Sequence, residues 1–136
     1  MKKITLLLVI IFTFLFSTPS YGQHNWGKWT FVSMSVDFDK YYYDKDRVRK
    51  SGKYIYFWEL TDYIKPDDLW GYLSTTKYIQ LDCNIIRFKV LKIQTYNKPM
   101  GEGKQEFDFT VKEEFTNPKP NSVREVIYNK ICEEYQ

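Results

Sequence analysis

Gly52-Lys53-Tyr54-Ile55-Tyr56-Phe57-Trp58-Glu59-Leu60-Thr61 alternates between two faces, and both begin apolar. In an extended chain Tyr54, Tyr56, Trp58 and Leu60 point one way, and Ile55, Phe57, Glu59 and Thr61 the other. A strand that is apolar on both faces belongs inside a sheet rather than at its edge. Trp58, in mid-strand, reads as a core residue. This stretch therefore predicts a sheet, and the rest of the chain has to supply its neighbours.

The flanking segments supply them. Trp29 to Val36 alternates and predicts a first strand, Asp37 to Lys40 a polar turn, and Tyr41-Tyr42-Tyr43 a short second strand. Asp44 to Ser51 is charged, with Val48 as its lone apolar residue, and reads as a connection. After the Gly52 strand, Ile64 to Gly71 carries Pro66, Asp67, Asp68 and Gly71 and reads as a loop. Tyr72 to Cys83 predicts the fourth strand, with Leu73, Thr75, Ile79, Leu81 and Cys83 sharing a face. Asn84 starts a tight reversal. Ile85 to Tyr96 predicts the fifth, where the apolar phase runs Ile86, Phe88, Val90 and then moves to Leu91 and Ile93. A one-residue phase shift is what a β-bulge produces. Asn97 to Lys104 is a Pro/Gly turn, and Glu106 to Lys112 predicts a sixth strand with Phe107 and Phe109 inward.

The pattern then changes. Asn117-Pro118-Lys119-Pro120 is a stop, and Ser122-Val123-Arg124-Glu125 matches a capping box. Val123, Val126, Ile127 and Ile131 follow at helical spacing. The expected fold is α+β: one small domain, an antiparallel sheet of about six strands and one C-terminal helix. Aromatic residues are 19% of the chain, a richness that favours strands.

The N-terminus reads as an export signal. Met1-Lys2-Lys3 precedes an unbroken apolar run from Ile4 to Phe16, and Ser17 to Gly22 gives a small-residue exit. The run falls short of the roughly 20 residues a membrane span takes. A signal peptide over residues 1–22, cut after Gly22, is therefore expected to leave a domain over 23–136, with no stable membrane span. No cysteine stands at the cut, so no lipid anchor is expected. The product would be periplasmic or secreted to the surface. Cys83 and Cys132 are the only two cysteines, and an even count in an oxidising compartment predicts one disulfide. It would pin the last turn of the helix to the end of the fourth strand. Losing Lys2 and Lys3 takes the formal charge from +3 to +1, which argues against nucleic-acid binding.

No catalytic constellation stands out. His24, the lone histidine, lies near the expected mature N-terminus without a nucleophile partner. Two cysteines are too few for a structural zinc site, so no metal and no cofactor are expected. Asp37 with Asp39 and Asp67 with Asp68 fall in turns, where aspartate bonds to the backbone. Glu59 and Asp62 close a strand. Gly101-Glu102-Gly103-Lys104 lacks the spacer and hydroxyl of a phosphate loop. Arg47, Arg49 and Lys50 form one basic cluster, and Arg87, Lys89 and Lys92 lie along the fifth strand. Of the tryptophans, Trp26 and Trp70 flank loose segments, and Trp70 is the better interface anchor.

Taken in order, Tyr41-Tyr42-Tyr43-Asp44, Val48-Arg49-Lys50-Ser51-Gly52, Trp58-Glu59-Leu60-Thr61-Asp62-Tyr63, Ser74-Thr75-Thr76-Lys77, Asp82-Cys83, Arg87-Phe88, Tyr96 to Gly101, Pro120-Asn121-Ser122 and Ile131-Cys132 resemble the bacterial surface-adhesin protein E family. The resemblance covers nearly all of the expected mature domain. It implies a mainly antiparallel sheet with a C-terminal helix tied on by the disulfide, in a small exported protein of Gram-negative bacteria. It also implies a surface protein that binds host matrix and plasma proteins. Asn121 stands where members of the family often show glycine, and Asn tolerates the same turn.

The expectation for function is a non-catalytic protein-binding module. Its candidate surface is Arg87, Lys89, Lys92 and Trp70, its partner a host or envelope protein, and pairing of edge strands would give a homodimer. The competing expectations are a periplasmic envelope-associated structural protein and a small-molecule carrier with aromatics lining a pocket.

Overall fold

The computed structural model describes residues 29–136. The signal peptide expected over 1–22, His24 and Trp26 lie outside the described residues.

Seven strands form one antiparallel sheet. They are β1 (Trp29–Met34), β2 (Lys40–Asp44), β3 (Arg49–Ser51), β4 (Tyr54–Asp62), β5 (Ser74–Asp82), β6 (Arg87–Tyr96) and β7 (Gln105–Thr110). The order across the sheet is β1-β2-β4-β5-β6-β7, and β3 shares the β2 edge of β4. β4 is thus interior, as its two apolar faces require. β3 is the strand that sequence did not show. Arg49, Lys50 and Ser51 are all exposed and carry no apolar period. Their pairing depends on β4, not on their own side chains.

The helix α1 (Val123–Tyr135) lies on one face of the sheet. Ser122 caps it, its Oγ accepting from the Glu125 N–H at 3.2 Å. The Glu125 carboxylate accepts from the Asn121 N–H at 2.7 Å, one residue earlier than the simple box. Asn121 has a φ of 60°, the left-handed turn expected of this residue. Ile127, Tyr128, Ile131 and Cys132 are buried. Val126 is 49% exposed, against the expectation that it would face inward. The helix rolls so that Tyr128, one turn on from Arg124, packs on Phe57 and Phe88 at ring distances of 5.9 and 4.9 Å.

Three tethers hold α1. Cys132 is bonded to Cys83 just past β5, with Cα atoms 5.6 Å apart. The Tyr43 hydroxyl on β2 donates to Glu134 at 2.6 Å. Arg124 in the first turn pairs with the buried Glu59 of β4 at 3.6 Å. The core beneath comprises Ile55, Phe57, Ile79, Leu81, Phe88 and Val90 with the inner face of the helix. Burying each large side chain contributes about 1.5–3 kcal/mol.

The expected bulge is present in β6. Tyr78 pairs with Lys92 but Ile79 with Val90, so Leu91 is the extra residue. Without it Lys92 would face the opposite way from Arg87 and Lys89.

Candidate functional site: an open basic-aromatic face and an aromatic cleft

Register assigns every strand residue to a face. One face, here the covered face, carries the rows Ile55–Leu81–Phe88, Phe57–Ile79–Val90, Glu59–Lys77–Ile93–Phe109 and Thr61–Thr75–Thr95–Phe107. The other, the open face, carries Tyr54–Asp82–Arg87, Tyr56–Gln80–Lys89 and Trp58–Tyr78–Lys92.

The open face interleaves cations with rings. Phe115, from the segment after β7, stacks on Tyr54 at 5.6 Å. Arg87 and Lys89 lie over that Phe115 ring, at 4.6 and 4.4 Å from its centre. Lys53 lies 5.1 Å over Tyr54. Alongside, Tyr78 packs on Trp58 at 5.1 Å and on Tyr56 at 6.2 Å, and accepts from Arg49 at 2.7 Å. Arg47 covers Trp58 at 5.5 Å and is paired to the buried Asp44. Trp58 is therefore a half-buried member of this face rather than a core residue.

The cations differ in how far they are engaged. Arg87 bonds the buried Asp82 through Nε and Nη2 at 3.2 and 3.1 Å. Lys53 stands 3.5 Å from the same carboxylate. Burial would raise the Asp82 carboxyl, but the Asn84 N–H, Arg87 and Lys53 outweigh it and hold it below the usual range. Lys92 pairs with Asp108 at 3.1 Å. Among the described residues, Lys89 meets only the Phe115 ring. Of the expected surface, then, Arg87, Lys89 and Lys92 do share a face, joined there by Arg47, Arg49 and Lys53. Arg87 is partly structural, and Phe115 was not foreseen. Phe115 lies in an irregular stretch, where no periodicity marks a ring as part of a site.

Trp70 is elsewhere. It belongs to the covered face, at the end α1 does not reach. There Tyr63, Trp70, Tyr72, Thr75, Lys77, Ile93, Thr95, Phe107 and Phe109 line a cleft of about 440 Å³. Asp67 fixes the loop that carries Trp70, its Oδ1 accepting from the Leu69 and Trp70 N–H groups at 3.1 and 2.8 Å. Gly71 follows with a φ of 70°, a conformation open to glycine. Trp70 meets Phe107 edge-on at 5.5 Å. Phe107 and Phe109 face the same side as the core, but among the described residues no layer covers them, and they are 42% and 49% exposed. The expectation that they are inward is corrected accordingly. Burial pushes the Lys77 amine below its usual range, and the Arg124 charge adds to this, against the opposing pull of Glu59 and Glu113. Lys77 had a signal in the sequence: it occupies the inward phase between Thr75 and Ile79.

The carboxylate groupings resolve into structure. Glu59 and Asp62 point to opposite faces. Asp62 accepts from the Met100 N–H at 2.7 Å, which helps fasten the β6–β7 loop to β4. Asp39 accepts from the Ile64 N–H at 3.0 Å. Among the described residues no three acidic, histidine or cysteine side chains gather as a metal site. Gly101 and Gly103 belong to the β6–β7 turn.

The family model for surface-adhesin protein E matches residues 29–133. The chain belongs to the surface-adhesin protein E family. Its fold is similar to that of Haemophilus influenzae protein E, with a TM-score of 0.61 at 16% identity over 77% of this chain and 88% of that one. A second structure, protein E from non-typeable Haemophilus influenzae, gives 0.58 at 15% identity over 86% and 81%. At such identity the likeness is one of fold. No curated protein sequence matches the chain. Much of the stretch that carries the family resemblance is structural here: Glu59 and Asp62 make tethers, and Cys83 and Cys132 the cross-link.

Proposed function

We propose that this protein is an exported, non-catalytic adhesin-like module that engages an acidic protein surface through the open face of its sheet. The observation that carries the reading is the gathering of Arg49, Lys53 and Lys89 with Tyr54, Tyr56, Trp58, Tyr78 and Phe115 on the part of this face that the β6–β7 turn leaves open. Aromatic anchors with arginine are the composition of binding hot spots, and complementary charge, here from the lysines as well, speeds and orients encounter. Family membership supports surface adhesion as the biological setting, with a host matrix or plasma protein as partner. An envelope protein is the competing partner. Among the described residues no helix is long and apolar enough to cross a membrane. The sheet ends at β1 and β7, and pairing of either edge with a second copy would give a homodimer that leaves the open face free.

The test is retention of host matrix proteins and of bacterial envelope proteins on the immobilised full chain, beside the Arg49→Glu/Lys89→Glu variant. Neither residue carries a tether to the core. Binding of a defined partner should weaken about tenfold or more, the scale of one or two lost charge-assisted contacts. Unchanged binding would remove the open face as the site. Protease shaving of intact cells separates the partners: an outward-facing adhesin is removed, whereas an envelope component survives.

A further inference from the structure

The cleft at the uncovered end of the covered face has features that protein adhesion does not require. Its walls are Trp70, Phe107, Phe109, Tyr63, Tyr72 and Ile93, and its floor is Thr75, Lys77 and Thr95 of β5 and β6. A volume near 440 Å³ is in the range of small-molecule sites, which are mostly apolar with few placed polar groups. Trp70, at 64% exposure, and the two phenylalanines leave apolar surface in water that an occupant would cover.

Two polar groups stand on the floor, a hydroxyl and a cation. The Thr75 residue is 3% exposed, and its Oγ1 is buried. The Tyr63 and Tyr72 phenols lie beside it within hydrogen-bonding influence, so they, and not an occupant of the cleft, are its nearest partners. Lys77 lines the same floor. Its cross-strand neighbour Glu59 turns to Arg124 instead, at 3.6 Å, leaving Lys77 without an ion pair among the described residues. A cation held in a partly buried site without a counter-charge is destabilised, which favours an occupant that supplies one. An anion entering the cleft would give Lys77 the counter-charge that Glu59 does not.

We propose that the cleft binds a small carboxylate with a flat aromatic or short alkyl body, the carboxylate at Lys77 Nζ and the body against Trp70, Phe107 and Phe109. The single cation sets the preference for one negative charge. Charge-assisted hydrogen bonds of this kind discriminate an acid from its neutral isostere. The cleft and the open face lie on opposite sides of the sheet, so the two sites are separable.

Calorimetric titration of the full chain with 2-naphthoate, against 2-naphthamide as the neutral isostere, tests this. The acid should bind with one site per chain and at least tenfold more tightly than the amide. Lys77→Met should erase that preference, and Lys77→Arg should keep most of it. Trp70→Ala should weaken both ligands, and because Trp70 is exposed on a loop it tests the site even if a Lys77 variant fails to fold. Arg49→Glu/Lys89→Glu should leave naphthoate binding unchanged. Equal affinity for acid and amide, retention of the preference in Lys77→Met, or naphthoate binding untouched by Trp70→Ala would overturn the proposal. So would a dimer by sedimentation that Trp70→Ala dissociates and naphthoate does not, since a second copy would then be the occupant.

Discussion

One face of one sheet is built in two ways. Where α1 crosses it, the rows are Ile55–Leu81–Phe88 and Phe57–Ile79–Val90, all fully or nearly fully buried. Two rows on, the same face reads Thr61–Thr75–Thr95–Phe107, where the threonines are still buried and Phe107 is open to solvent. The row between, Glu59–Lys77–Ile93–Phe109, carries both charges. Strand length exceeds what a helix of 13 residues anchored at β5 can cover. The covered end holds the fold, and the uncovered end is left to bind. The lesson is that a side chain's face and its burial are separate quantities. Register decides the first and the overlying layer the second.

The covered end should be the costly one to disturb. The Cys83–Cys132 link closes a separation of 49 residues, and its loss should cost about 4 kcal/mol on the loop-entropy account. Phe57→Ala, at a site with no exposure, should cost a similar amount, about 3–5 kcal/mol. Urea unfolding with and without reductant, and of the variant, measures both. A loss below about 1 kcal/mol in each would show that the helix is not what stabilises the sheet.

Most of this division was legible in the sequence, and the exceptions have physical causes. The interior position of β4 follows from Ile55, Phe57 and Leu60, whose apolar character repeats on both faces. The bulge at Leu91 follows from the phase shift after Val90. The pairing of Cys83 with Cys132 follows from there being no third cysteine. What did not follow depends on the layer above the sheet. Phe107 and Phe109 have the inward phase, but phase carries no information on where a helix ends. Val126 has helical spacing, yet the Arg124–Glu59 tether and the Tyr128 ring set a roll that turns it outward. The cleft is likewise a product of coverage: Lys77 and Trp70 are 7 residues apart in sequence and are brought together by the Asp67 turn.

A smaller effect belongs to the boundary between the faces. Asp82 points to the open face but is 1% exposed, and it is held ionised by Arg87, Lys53 and the Asn84 N–H. A carboxyl whose folded pKa lies below its unfolded value stabilises the fold above the unfolded value, near pH 4. That contribution fades as pH falls through the lower, folded value. Asp82→Asn should therefore cost about 2 kcal/mol at pH 7 and much less near pH 2, flattening the acid limb. Asp108 and Glu134 are also held low and keep part of that limb in the variant. Parallel stability curves for the variant and the parent between pH 7 and pH 2 would show that the pairing adds nothing.

The smallest expected effect is the sharpest test of the comparison. Phe107 shares a face with Phe57, and both are phenylalanines in antiparallel strands. If register alone decided energy, Phe107→Ala would cost as much as Phe57→Ala. Coverage predicts otherwise. Phe107 is 42% exposed, touches Trp70 from one side only, and lies on the last strand of the sheet. Truncating it opens no closed cavity, so the term that makes core truncations expensive is missing. Phe107→Ala should shift stability by no more than about 0.5 kcal/mol, the range of surface substitutions. The same urea series that measures Phe57→Ala checks it. A loss above about 2 kcal/mol would mean that something covers the cleft in solution, and that its end of the sheet belongs to the core.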